Sequence, residues 1–370
     1  MKSLFAAGPS VVAALSVLSA TAAPLTVSIN PFPYDTTLTA MENVTRITTQ
    51  NDNLSTVQLD DGIPWQQALN GTAFSAALMA EWQARRNQIG TNPVYLAIAP
   101  LAEDRSSWAP PYGGGSPPAW AVSNANASPS LKLAYANYVL RAMNYFQPAY
   151  LNIGVEAGDM AARTPSRWPQ YVAVFNDCMA AVRATNASLK VGISFSLPLL
   201  MESNVVSLAG NVIAQSDYVG ISFYPYLSQF YAVLGAAPLP APPAQWQAPL
   251  QWLEQFAPKP VAICETGYST QPVVLTNYGL NMPGDESTQA AYVKDLAGFA
   301  TRDNYLFTVF FQSVDSAAYM QTLPPAEIND TLWTYTGFFD TNLNAKPSWA
   351  NYEAFWLARL VAPTGLRVVQ

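Results

Sequence analysis

Residues 150–156 read Tyr-Leu-Asn-Ile-Gly-Val-Glu, and residues 260–268 read Pro-Val-Ala-Ile-Cys-Glu-Thr-Gly-Tyr. Each is a short apolar run that ends on a glutamate. Such runs, bounded by turn formers, read as buried strands. Working outward, six further runs of this kind occur at residues 25–30, 55–60, 94–99, 190–196, 218–224 and 307–312. Amphipathic helical stretches separate them, at residues 74–89, 131–146, 168–184, 204–215, 245–256, 287–301 and 349–360, with a less regular one at 38–49. Strands that alternate with helices imply parallel βαβ units.

The strand faces choose between the two parallel architectures. Leu151, Ile153 and Val155 alternate with Asn152, Gly154 and Glu156. Val191, Ile193 and Phe195 alternate with Gly192, Ser194 and Ser196, and Val219, Ile221 and Phe223 alternate with Gly220, Ser222 and Tyr224. Bulky apolar faces suit packing beneath outer helices, and small or polar faces suit a crowded barrel interior. An open doubly wound sheet shows continuous apolar strands instead, and no Gly-rich phosphate turn follows the first run. The expected fold is α/β, a single-domain (β/α)8 TIM barrel over residues 24–370.

Composition narrows the chemistry. The chain has 370 residues, half of them hydrophobic, with 11% charged and a net charge of −7. That rules against disorder, and the lack of a basic block rules against nucleic acid. There is no histidine, which removes Ser-His-Asp and Cys-His catalysis and the usual zinc sites. No cofactor or metal is expected; Asp60, Asp61, Glu103 and Asp104 lack the spacing of a calcium loop. Lys2, an apolar run to about Leu18 and the small residues Ala20-Thr-Ala-Ala23 predict a secretory signal over residues 1–23. No later segment is long and apolar enough to span a membrane. A secreted monomer is expected. Sequons occur at Asn43, Asn53, Asn70, Asn126, Asn186 and Asn329, by chance or as glycan sites. Cys178 and Cys264 fall within a helix and a core strand, so two buried free thiols are expected rather than a bridge.

Glycoside hydrolysis needs two carboxylates and nothing else. Ends four and seven of eight barrel strands face each other across the mouth, so Glu156 and Glu265 are the candidate pair, about 5 Å apart for a retaining mechanism. Glu156 would hold the proton as acid/base, its pKa raised by nearby negative charge, and Glu265 would be the ionised nucleophile. A merely structural carboxylate there would need a lysine or arginine partner, and none is adjacent in sequence. Tyr224 is placed to orient Glu265. Asp60 and Asp61 would bind sugar hydroxyls, or Asp61 would cap a turn before Gly62. Trp65, Trp108, Trp120, Tyr226 and Tyr268 are candidate stacking platforms, as are Tyr112 and Trp333, and Gln312 and Asp315 stand at the last strand end. Long loops at residues 103–129, 225–244 and 313–332 follow strands, where barrel enzymes build their sites.

These segments resemble glycoside hydrolase clan A, and most nearly the family 53 arabinogalactan endo-β-1,4-galactanases. The likeness rests on Gly220-Ile-Ser-Phe-Tyr-Pro-Tyr226, Glu265-Thr-Gly-Tyr268, Glu286-Ser-Thr-Gln289, Gly337-Phe-Phe-Asp340 and Lys346-Pro-Ser-Trp349. It covers the second half of the chain well and the first half through strand order. It implies a retaining barrel glycosidase with its acid/base at strand four and its nucleophile at strand seven. Two departures stand out. The clan's asparagine before the acid/base is Val155 here, and its second-strand arginine is absent, Gln58, Asp60 and Asp61 standing at that strand end. The alternative they leave open is a barrel that binds carbohydrate without cleaving it.

Overall fold

The computed structural model describes residues 25–122, 127–323 and 331–357. The expected signal segment, Asn126 and Asn329 lie outside the described residues.

Eight strands form one sheet: β1 (Val27–Ile29), β2 (Ser55–Leu59), β3 (Val94–Ile98), β4 (Tyr150–Asn152), β5 (Lys190–Ser196), β6 (Tyr218–Phe223), β7 (Val261–Thr266) and β8 (Thr308–Phe310). Every ladder is parallel, in the order β1-β8-β7-β6-β5-β4-β3-β2. Side chains largely close the remaining seam between β1 and β2. Asn53 accepts from the Val27 amide (2.7 Å), Asp52 from the Ile29 amide (2.8 Å), and Thr56 donates to Ser28 (2.9 Å). The fold is therefore the expected single-domain (β/α)8 barrel. Asn53 also donates its amide to Leu25, so this buried sequon is occupied by the barrel seam.

Helices cover the outside. Leu38–Asn51, Ala76–Gln88, Pro129–Phe146 and Glu286–Arg302 start at Thr37, Ser75, Ser128 and Asp285, whose side chains each accept an amide hydrogen bond from the first turn. The apolar faces of β5 and β6 pack outward in the main core, as the alternation predicts. A second cluster fills the barrel interior, where Phe307 meets Tyr95 (4.7 Å), Tyr150 (4.9 Å) and Tyr218 (5.8 Å). These rings stand near the strands' N-terminal ends and floor the barrel, leaving its C-terminal end as the mouth. Cys178 and Cys264 are buried free thiols, as expected.

The predicted alternation fails in β4, which stops at Asn152. Asn152 accepts from the Gly154 amide (2.9 Å) and turns the chain out of register. A Cβ on Gly154 would lie 2.1 Å from the Tyr171 hydroxyl on the outer helix Trp168–Thr185. Gly154 therefore faces out, and Val155 joins the interior cluster. Both faces are the reverse of the sequence reading.

Candidate active site

Two backbone irregularities place the glutamates. Beyond β4, Glu156 has φ 47°, in the left-handed region, where residues other than glycine are uncommon. Its amide is fixed by Ser194 on β5 (2.8 Å). In β7, Ile263 aligns with Ile221 but Glu265 with Ser222, and β8 spans the same step with one residue fewer. That extra residue is a β-bulge at Cys264–Glu265. Bulges re-aim side chains next to active sites; here Cys264 stays inside the barrel while Glu265 also faces the mouth.

The two carboxylates feel each other's charge. Burial, then the charge of Glu156, pushes the Glu265 carboxyl up to about 8, against the pull of Arg105 and Tyr224. The Tyr224 hydroxyl faces Glu265 closely enough to favour its charged form, yet reaches full hydrogen-bond geometry with no partner. Glu265 is the more deeply buried of the two carboxylates.

The structure brings in residues that sequence reasoning missed. Arg105, on the loop after β3, donates Nε (3.1 Å) and Nη2 (3.0 Å) to Glu156 Oε2. An arginine partner absent from the neighbouring sequence is thus supplied from 51 positions away. Asp159, one short turn after Glu156, accepts from the Ser196 amide (2.8 Å) and hydroxyl (2.5 Å). Burial, then Glu156, pushes Asp159 up to about 7. Arg105, Glu156, Asp159, Tyr224, Tyr231 and Trp333 line a cleft of about 400 Å³. The only sequence signal for Arg105 was its place in a long loop after a strand.

Other candidates lie elsewhere. Trp65 and Trp108 are buried, with indole N–H groups spent on the Ala109 carbonyl (2.9 Å) and Gln170 (3.2 Å). Half-buried Trp120 packs edge-on against Trp65. Trp65 and Trp108 are buried in the core and offer no ring to a sugar. Tyr226 and Tyr268 are buried too, bonded to Leu332 O (2.7 Å) and Gln245 (3.1 Å). Gln312 donates to Trp333 O (2.8 Å) and Thr334 O (3.2 Å), which fixes the loop that carries Trp333. Asp61 is taken up by Arg85, which Glu81 also holds (2.9 Å). Exposed Asp60 accepts from Gln58 (3.1 Å) at the end of β2 and adds its charge to that felt by Glu265. Asp315 sits in a buried ion pair with Lys346 (2.6 Å). Tyr112 is half-buried against the core, outside the cleft. Of the mouth aromatics, Trp333 is in the cleft, 6.0 Å from Tyr224, with its indole N–H unpartnered.

An eight-stranded parallel barrel with two facing glutamates at the ends of β4 and β7 defines a class, the barrel glycoside hydrolases. The chain belongs to glycosyl hydrolase family 53, whose model matches residues 105–348. It is therefore a glycosidase. Solved structures share the fold. The family 53 catalytic domain of Ignisphaera aggregans has 17% identity and a TM-score of 0.54, over 84% of this chain and 86% of that one. A structure reported among two fungal β-1,4-galactanases has 16% identity and a TM-score of 0.53, over 85% and 90%. A GH5 protein of Bifidobacterium longum in complex with Manβ1-4GlcNAc has 15% identity and a TM-score of 0.63, over 91% and 79%. No curated protein matches the chain. Among the described residues no helix is long and apolar enough to cross a membrane.

Proposed function

We propose that this glycosidase is a secreted, retaining enzyme that cleaves β-1,4-galactan by double displacement, with Glu265 as nucleophile and Glu156 as acid/base. The observation that carries the mechanism is the pair itself, two glutamates at facing strand ends whose charges act on each other, Glu156 lining the cleft and Glu265 buried beside it. Two interacting carboxylates lose their protons in two steps that belong to the pair, and between those steps they share one proton. The productive form has it on Glu156. Glu265 then attacks the anomeric carbon while the glycosidic C–O bond breaks and the leaving oxygen takes the proton from Glu156. In the second half, Glu156 takes a proton from water, the water oxygen bonds the anomeric carbon, and Glu265 departs. Half-buried Trp333 supplies an apolar face on which a sugar ring stacks. Family membership and the fungal β-1,4-galactanase likeness support galactan as substrate.

The test is reducing-end release from galactan, arabinogalactan, mannan, xylan and β-glucans by wild type beside Glu265→Ala and Glu156→Ala. NMR of the first-formed anomer accompanies it. Release from galactan with retained configuration, lost in both variants, is expected. Cleavage surviving in Glu265→Ala overturns the site; cleavage of another glycan alone overturns the substrate. The N-terminal peptide of protein recovered from culture medium should begin after residue 23.

A further inference from the structure

We infer that Arg105 is a positioning residue for the acid/base glutamate, a role that rests on the two-glutamate mechanism proposed above. Nothing in the strand-four sequence holds Glu156. Val155 points into the barrel, and only the Glu156 amide is bonded by Ser194. The carboxylate is gripped from another loop, with Nε and Nη2 of one guanidinium on the single oxygen Oε2. A planar fork sets direction as well as charge, which a lysine ammonium does not. No donor among the described residues takes Oε1, the oxygen left to serve a leaving group.

The loop is built to deliver that grip. Leu101 and Trp108 pair as an antiparallel bridge, Ala102 N donates to Ser107 O (2.9 Å), and Arg105 N donates back to Ala102 O (2.8 Å). Buried Trp108 anchors the base of this turn, and Arg105 stands near its tip at φ 53°. Both partners of the ion pair thus hold left-handed backbone. Such conformations are costly for residues other than glycine and persist where the surroundings over-determine them, often at active sites.

The charges around the pair make Arg105 consequential. Glu103 and Asp104 share its loop; Asp159 and Arg163 follow Glu156; Tyr224 and Tyr231 face it from beyond β6. Glu265 and Asp60 complete the set from β7 and β2. The guanidinium acts on Glu156, Asp159 and Glu265 together, so its loss should raise both ionisations of the glutamate pair.

Two readouts, in wild type, Arg105→Gln and Arg105→Lys, test this. The first needs no turnover: titration of ¹³C-labelled glutamate carboxyls in the free protein, with Glu265→Gln identifying the high-pH transition. That transition should move up by about one pH unit in Arg105→Gln and stay in place in Arg105→Lys. The second is kcat, KM and the pH profile. In Arg105→Gln, kcat should fall roughly tenfold or more, with KM nearly unchanged and both limbs displaced upward. Arg105→Lys should restore the limbs but not kcat, because it keeps the charge and loses the fork. An unmoved titration in folded Arg105→Gln, or full kcat in either variant, overturns the inference. Activity surviving in Glu156→Ala would instead overturn the mechanism, while the titration still reports whether Arg105 governs the pair. If Arg105→Gln does not fold, the kcat of Arg105→Lys decides.

Discussion

Glu265→Gln should stabilise the protein, and by an amount that grows with pH. Glu265 is buried and held up to about 8 against an ordinary 4.5, so the fold prefers its neutral form. Below pH 4.5 the carboxyl is protonated whether the chain is folded or not, and its contribution is fully present. As pH rises from there, the unfolded chain releases the proton while the folded one keeps it, and stability falls by about 1.4 kcal/mol per pH unit. The loss ends near pH 8, when the folded group ionises. Over that window it reaches a ceiling of about 5 kcal/mol. Glutamine cannot ionise and keeps the shape, so the variant escapes the loss. At roughly 2 °C per kcal/mol for a chain this size, the Tm gap should open from near zero at pH 4 towards 10 °C at pH 8. Calorimetry at pH 4, 6 and 8 measures it, and differences between variants remove the pH dependence they share. Glu156→Gln removes a charge that raises Glu265, so its own Tm should decline less steeply than wild type. A gap that is constant from pH 4 to 8, or of opposite sign at pH 8, would refute this account.

Lys346→Met should cost about 3–5 kcal/mol in urea unfolding, because it strands Asp315 without its buried partner; a loss below 1 kcal/mol would mean water reaches that carboxylate. Gly154→Ala should lower Tm sharply and cut kcat with it, since its Cβ falls 2.1 Å from the Tyr171 hydroxyl and 2.8 Å from Ala157 Cβ in the turn that presents Glu156; unchanged Tm and kcat would contradict the outward path of that turn. Trp65→Ala should cost roughly 3–5 kcal/mol as a buried-ring deletion while KM stays within about twofold; a large KM rise at unchanged stability would return Trp65 to the sugar. Activity should fall as pH climbs through about 8, where the pair loses the proton that Glu156 must donate; a profile flat to pH 9 would be incompatible with that assignment.

Residue patterning reveals regular structure and hides its interruptions. β5 and β6 alternate without fault, so their outward Val, Ile and Phe were legible, and so was the barrel. The stretch from Asn152 to Glu156 has the same pattern on paper, yet Asn152 spends its side chain on the Gly154 amide and the parity is lost. Composition gives no warning, because the cause is a side-chain bond to backbone rather than hydrophobicity. The tryptophans fail for a related reason. Trp65 and Trp333 both follow strands, and the difference between a buried indole with its N–H bonded and a cleft indole with none is set by loops packed against them. Arg105 reaches Glu156 across 51 residues, a separation that no local spacing encodes.

Those interruptions are what allow two carboxylates to meet. A regular strand carrying both Cys264 and Glu265 would send one of them outward; the bulge keeps both on the inner side, with Thr266 left to bond Phe223 O (2.6 Å) beneath the outer helices. A regular β4 would turn Val155 outward, and the left-handed step at Glu156 follows only because the strand has ended. Each irregularity is also supported by bonds from neighbouring strands, Ser194 under Glu156 and the Ser222 pairing beside Glu265. The mouth also gathers Asp60, Glu156, Asp159 and Glu265 around Arg105. Burial and mutual charge push Asp159 up to about 7 and Glu265 up to about 8, so the site retains protons to near neutral pH. A glycosidase without histidine draws its proton donor from that surplus of acids.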